Sequence, residues 1–308
     1  YDGAQYYALK RSTITKSDIP NWESVFHQAH TLHFPDILPV FLTTKRHLYT
    51  EEHEGIYYLS PWIEHKEYSM KQLYHSIGHI HAKTKRSYPI NSKEQKDHSF
   101  EQYKKMCEAY EKSWHEHIDR FEQSRYMSPF ELQACTHYRD LTIVFRILNE
   151  RIDDFIESMD EETNWSYSLC HGNLRRSHFL FDGQGYFISW ENAMFDNAIV
   201  DLSRFFKNET KAYHAQNEEL IDHFSTYTDE NKLDMSELYL LIIYLLDPSQ
   251  YMSVIQRYAE QPKHDSMMNQ VRHLEQAFRQ LQFGVLFSEY VKNEYDLFFP
   301  DDDLESDN

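Results

Sequence analysis

Apolar positions near the start of the chain alternate as in strands, and from residue 68 onward they mostly recur three or four apart, as in helices. Tyr6-Tyr7-Ala8-Leu9-Lys10 predicts a strand ending on a lysine. Ser17 to Leu32 predicts a helix capped near Ser17 or Asp18, with Trp22, Val25, Phe26 and Ala29 on one face. Val40-Phe41-Leu42 and Ile56-Tyr57-Tyr58-Leu59 predict two strands separated by a charged turn around Glu51 to Gly55. Pro61-Trp62-Ile63 reads as a crossing segment.

The helical part begins with Tyr68 to Lys85 and continues with Phe100 to Gln123. Ser128, Pro129 and Glu131 form a capping box that starts another helix. Its expected apolar face is Leu132, Cys135, Tyr138, Leu141, Phe145, Leu148, Ile152 and Phe155. Tyr167 to Trp190 is strand-rich. Within it Phe179-Leu180-Phe181 and Tyr186-Phe187-Ile188 flank the turn residues Asp182-Gly183-Gln184-Gly185, a hairpin pattern. Helical spacing resumes from Asp201 to Phe298, its last helix running Met267 to Phe298 with Leu274, Phe278, Leu281, Phe283, Val285, Leu286 and Tyr290 expected in the core. Residues 301–308 are acidic and are expected to form a solvated, disordered tail.

The chain has 308 residues, 41% of them hydrophobic, enough for a packed core. A net charge of −19 disfavours nucleic acid and anionic membranes as partners. Leu238 to Leu246 is the longest apolar run and is too short to span a bilayer, so no membrane insertion is expected. Cys107, Cys135 and Cys170 show neither metal nor redox spacing, which points to cytoplasmic synthesis without disulfides. Only seven glycines are present, and no glycine-rich phosphate loop can be placed.

A small strand-bearing lobe, a connector, and a helical lobe containing a loop, a hairpin and a second loop make the plan of a protein-kinase-like phosphotransferase. Such an enzyme needs a small-lobe lysine, a catalytic-loop Asp, a metal-binding Asn five positions later and a metal-binding Asp after the hairpin. His171-Gly172-Asn173-Leu174-Arg175-Arg176-Ser177-His178-Phe179-Leu180-Phe181-Asp182 resembles the H-G-D-L-x-x-x-N loop of the aminoglycoside phosphotransferase and choline kinase-like superfamily. Ile188-Ser189-Trp190-Glu191 resembles its I-D-W-E/D segment, and Asp196 through Ser203 the stretch that follows. Tyr7 to Arg11 resembles the lysine strand, Leu59 to Glu64 the hinge, and Ile77 to Ala82 the helix after it. The Tyr- and His-rich texture is most similar to the spore-coat-associated CotS-type, YutH-like branch from bacilli. The resemblance implies an α+β, two-lobed kinase-like fold. It divides the chain into a small lobe at 1–64 expected to lack its first strands, a helical lobe at 65–300 and the tail at 301–308. It also implies location in the spore coat, with other coat proteins as partners.

The departures from that pattern fall on the chemistry. Asn173 stands at the catalytic Asp position, His178 at the metal-ligand Asn and Ser189 at the metal-ligand Asp. Asn cannot accept the nucleophile's proton as a carboxylate does. Magnesium prefers hard oxygen ligands, whereas an imidazole suits zinc or copper better. The expectation is a pseudokinase with weak or no ATP–magnesium binding and no cofactor; the alternatives are an active small-molecule phosphotransferase with an altered metal site and a transferase of another class. Lys10 is the candidate nucleotide lysine and Glu23, on the small-lobe helix, its candidate partner. Glu191 is either a surviving acidic group in the cleft or a salt-bridge anchor. The resemblance gives His171 and Asp201 structural roles in the catalytic loop. His75 and His79 share a helix face but lack a third ligand at a known spacing, and His115 and His117 share no face, so no metal is expected.

Overall fold

A computed structural model describes residues 5–52, 55–89, 93–161, 164–212, 217–262 and 265–295. The acidic tail, the last residues of the expected 267–298 helix and the tip of the turn at 53–54 lie outside the described residues. In chain order the first elements are β1 (Tyr7–Ser12), α1 (Ile19–Leu32), β2 (Thr50–Glu52), β3 (Gly55–Pro61), α2 (Met70–Thr84) and β4 (Arg86–Pro89). Then come α3 (Lys93–Glu122), α4 (Pro129–Thr136), α5 (Tyr138–Glu161), β5 (Asn164–Cys170), β6 (Phe179–Phe181), β7 (Gly185–Phe187) and β8 (Met194–Asp196). The chain continues through α6 (Ala198–Glu209), α7 (Asn217–Asp222), α8 (Phe224–Glu230), α9 (Met235–Leu245), α10 (Ser249–Glu260) and α11 (Met267–Glu294). These elements make two compact units, Tyr1–Asp97 with Glu157–Glu237, and His98–Ile156 with Leu238–Asn308.

The first unit is built on an antiparallel sheet in the order β1-β3-β2, with Lys10 opposite Tyr58. Glu51 and Glu52 belong to β2 rather than to the turn. Asp18 is the N-cap of α1, and Pro20 stands in its first turn, where a missing N–H costs nothing. Trp22 and Val25 are buried; Trp22 packs against Tyr58 with ring centroids 5.1 Å apart. Burying such side chains is worth roughly 1.5–3 kcal/mol each, which fixes α1 on the sheet.

Val40 to Leu42 does not form the expected strand. The segment is extended but joined only by isolated bonds, Phe41 N–H to Leu59 O at 2.8 Å and Leu38 N–H to Phe187 O at 3.1 Å. Pro39, immediately before it, removes one main-chain donor at its start. Ser69 and Gln72 cap α2 reciprocally. At Gly78 a Cβ would lie 2.9 Å from Glu230 Cβ and 3.1 Å from Tyr227 O, so the glycine lets α2 and α8 approach closely. A second sheet, in the order β4-β5-β8, and the β6–β7 hairpin complete the unit.

In the second unit, the single helix expected from Ser128 to Phe155 is two, α4 and α5, broken at His137. The His137 ring stacks on Phe278 with centroids 3.5 Å apart and bonds Tyr251 Oη at 3.1 Å and Glu275 Oε1 at 3.0 Å. The break changes the buried face. α4 buries Phe130 and Ala134, while Leu132 is 57% and Tyr138 45% exposed. α5 keeps the expected face of Leu141, Phe145, Leu148, Ile152 and Phe155. On α11, Leu274, Phe278, Leu281 and Phe283 are buried as expected, but Val285 and Tyr290 are half-buried, Leu286 is half-exposed, and Phe287 joins the inner face. Met235–Glu260 is long and apolar enough, by length and composition, to cross a membrane. Its side chains are mostly buried, among them Leu241, Ile242 and Leu245, and the helix is interrupted near Pro248, as suits core helices.

Candidate functional site

The site lies within the first unit, where β1, the loop after β5 and the segment after β7 meet. A cleft of about 740 Å³ is lined by Ala8, Leu38, Trp62, Ile63, Leu180 and Ile188, with Lys10 and Ser189 also in its wall. Lys10 Nζ donates to Ser189 Oγ at 2.8 Å and forms an ion pair with Glu191 Oε1 at 2.6 Å. Ser189 has a left-handed backbone, φ 71°, uncommon outside glycine, Asn and Asp.

The partner of Lys10 is thus Glu191, not Glu23. Glu23 is half-buried on α1 and forms no ion pair among the described residues. Glu191 also accepts from Tyr58 Oη at 3.0 Å and from Ser12 Oγ at 3.3 Å. Burial pushes its carboxyl up, but the hydrogen bond and charge of Lys10, with the Tyr58 bond, outweigh burial and hold it below its ordinary value. The phenol of Tyr58 is raised by burial and by the Glu191 charge. Sequence reasoning missed Tyr58 and Ser12; the alternation that buries Ile56, Tyr58 and Ser60 on β3 was their available signal.

The loop after β5 is held from beneath. The His171 main-chain N–H donates to Asp201 Oδ2, and that of Gly172 donates to Asp201 Oδ1 at 2.8 Å. His81 Nε2 stands 3.3 Å from Asp201 Oδ2, and its Nδ1 is 2.9 Å from Tyr227 Oη. Burial pushes the Asp201 carboxyl up, but His81, His171 and the main-chain N–H bring it below its ordinary value. His171 Nε2 donates to Ile188 O at 2.8 Å while its Nδ1 accepts from the Asn173 N–H at 3.3 Å. This is a neutral tautomer, in keeping with a pKa lowered first by burial. Gly172 has φ 76°, and a Cβ there would lie 1.9 Å from Asn192 O. The ligand atoms of His81, Cys170 and Asp201 lie within 4.8 Å of one another. Both Asp201 oxygens are already engaged and burial pushes the Cys170 thiol well up, so the cluster is a hydrogen-bonded core rather than an ion cage.

The three replaced positions stand above this floor. Asn173 Oδ1 accepts from Arg175 Nε at 2.9 Å. His178 Nδ1 donates to Asn173 O at 2.9 Å, and its ring stacks on His171 with centroids 5.3 Å apart. Burial, then the Lys10 and Arg175 charges, lower its pKa against the opposing pull of that carbonyl, leaving a neutral imidazole. Among these three side chains no carboxylate is left for magnesium: the amide and hydroxyl oxygens are neutral, the imidazole is a softer ligand, and the carboxylate beside them is engaged by Lys10, Tyr58 and Ser12. The site therefore lacks the two carboxylates of the pattern at positions 173 and 189, and its lysine is ion-paired to Glu191.

No protein-family model and no curated protein sequence matches the chain. Among solved structures it is similar to an aminoglycoside phosphotransferase from Alicyclobacillus acidocaldarius subsp. acidocaldarius, with a TM-score of 0.67 and 15% identity over 95% of this chain and 89% of that one. It is also similar to spectinomycin phosphotransferase in complex with ADP and spectinomycin, with a TM-score of 0.50 and 13% identity over 93% and 87% of the two chains. At such identities the likeness establishes architecture alone: the chain has the two-lobed, α+β, protein-kinase-like fold.

Proposed function

We propose that this chain is a pseudokinase, a kinase-fold protein that transfers no phosphate, and that it serves as a structural or binding component of the bacterial endospore coat. The observation that carries the first half is the set of side chains around Lys10: Ser189, 2.8 Å from its ammonium, stands with Asn173 and His178 where the kinase pattern has the groups that hold metal and orient a nucleophile. Positioning and charge stabilisation are nearly all that phosphoryl transfer asks of a protein, and here both lack their parts. The second half is supported by the motif texture shared with the CotS-type, YutH-like branch. On this reading the chain is made in the cytoplasm, holds no cofactor in this cleft, binds ATP with magnesium weakly or not at all and takes other coat proteins as partners.

The first test measures phosphate release from ATP by the parent chain, the Asn173→Asp variant and the triple variant Asn173→Asp, His178→Asn, Ser189→Asp. The parent and the single variant are expected to be silent, because a restored base is useless without held metal and phosphate. Robust metal-dependent turnover by the parent, abolished by Lys10→Ala, would establish an active small-molecule phosphotransferase with an altered metal site instead. For the coat, a tagged chain expressed in a sporulating bacillus is expected in the detergent-extractable coat fraction. Recovery only from the mother-cell soluble fraction would refute that location.

A further inference from the structure

Away from the cleft, His75 and His79 stand one turn apart on α2. Their rings are parallel to within 3°, with centroids 6.3 Å apart. Each ring turns its Nδ1 to a carboxylate: His75 Nδ1 lies 2.8 Å from Glu230 Oε1, and His79 Nδ1 lies 2.7 Å from Asp36 Oδ2. An ionised carboxylate only accepts, so in both rings Nδ1 carries a proton and a neutral ring keeps its lone pair on Nε2. Neither Nε2 has a hydrogen-bond partner among the described residues. Histidines that ligate metals are characteristically held this way: an outer carboxylate fixes the tautomer, raises the ring's basicity and leaves the other nitrogen for the ion.

We propose that His75 and His79 form a binding site for a divalent transition ion of the zinc class, with Asp36 and Glu230 as its outer carboxylates. Imidazole nitrogen selects zinc, nickel or copper over magnesium or calcium. Zinc–nitrogen bonds of 2.0–2.1 Å require the two Nε2 atoms to come within about 4.2 Å of each other. The His75 side chain is 58% exposed and can turn toward His79, which is 25% exposed. The outer carboxylates are themselves fixed. Asp36 O accepts from the Phe187 N–H at 2.7 Å, and the α2–α8 approach at Gly78 sets Glu230 beside His75. Two protein ligands leave the remaining positions to water or to a donor from another molecule, so the site is open rather than closed. An ion there ties α2 to its two neighbours and stabilises the fold by mass action.

The test is zinc titration of the full chain by calorimetry, with cobalt as a spectroscopic stand-in. The parent is expected to take up one ion per chain with an affinity at least tenfold above that of His75→Gln. Asp36→Asn, which leaves both ligands in place, is expected to weaken binding ten- to a hundredfold through the outer carboxylate. Visible cobalt bands of the parent should vanish in His75→Gln, an exposed change that leaves the circular dichroism spectrum unaltered. The chain has 19 histidines, so the double variant His75→Gln, His79→Gln is the decisive control. Zinc uptake by the double variant equal to the parent's, or no uptake by the parent, overturns the proposal.

Discussion

The floor and the rim of the loop after β5 have fared differently. On the floor, Asp201 takes two main-chain N–H groups, His81 supports Asp201, and Tyr227 supports His81, all of them buried. On the rim, Asn173, His178 and Ser189 are half-buried; their side chains bond Arg175, the Asn173 carbonyl and Lys10, with the His178 ring stacked on His171. Removing a floor residue would strand buried polar groups, which is costly whatever the protein does. Removing a rim residue strands little. The fold therefore depends on the floor far more than on the rim.

The contrast breaks if the floor tolerates substitution. Asp201→Ala should cost roughly 3–5 kcal/mol or prevent folding, since it leaves two buried N–H groups and His81 without their acceptor. Urea unfolding measures it, and a loss under about 1 kcal/mol would contradict the account. Gly172→Ala should cost roughly 2–4 kcal/mol, from the left-handed backbone and the clash with Asn192 O. Acid comes next. The buried His171, and His178 and His137 with it, have pKa values lowered by burial, so their unfolded forms bind protons first. Stability should fall as pH drops below about 6.5, the ordinary histidine value. The lowered carboxyls of Asp201 and Glu191 give the same sign in a lower window: their contribution is complete above about pH 4.5 and lost as pH falls through the lowered folded values. A melting temperature that is flat between pH 7.5 and 5 would refute the histidine part. Least costly should be the rim. Asn173→Asp and His178→Asn should each shift stability by about 0.5–1 kcal/mol at most. A Lys10/Glu191 double-mutant cycle should give a coupling near 1 kcal/mol, because the lysine side chain is 37% exposed and screened by solvent.

What the sequence revealed was local. The lysine strand, the Ser128 capping box, the α5 face and the β6–β7 hairpin each rest on neighbouring residues. The hairpin's turn residues were legible, although β7 begins at Gly185, one residue before the expected strand. What it hid was set from a distance. His137 breaks a periodic helix because Phe278, Tyr251 and Glu275 receive its ring. Lys10 prefers Glu191 to Glu23 because the fold delivers the segment after β7 to β1, which no spacing announces. β4 was invisible because all four of its residues are exposed and carry no apolar alternation. The segment at Val40 has strand-like apolar residues, but one bond, Phe41 N–H to Leu59 O, is all that joins it to β3 among the described residues.

The Pro35–Pro39 segment also has a mechanical consequence. Phe34 N–H bonds back to Ala29 O at 2.9 Å, so the segment grips the end of α1. Asp36 O and the Leu38 N–H then grip Phe187 from both sides, two residues before Ser189. α1 and the strand leading to Ser189 are thereby geared together through short main-chain links. A torque applied to α1 is delivered to the strand leading into Ser189 through these bonds, and the Ile188 N–H to His178 O bond at 2.9 Å carries it on to the rim of the loop.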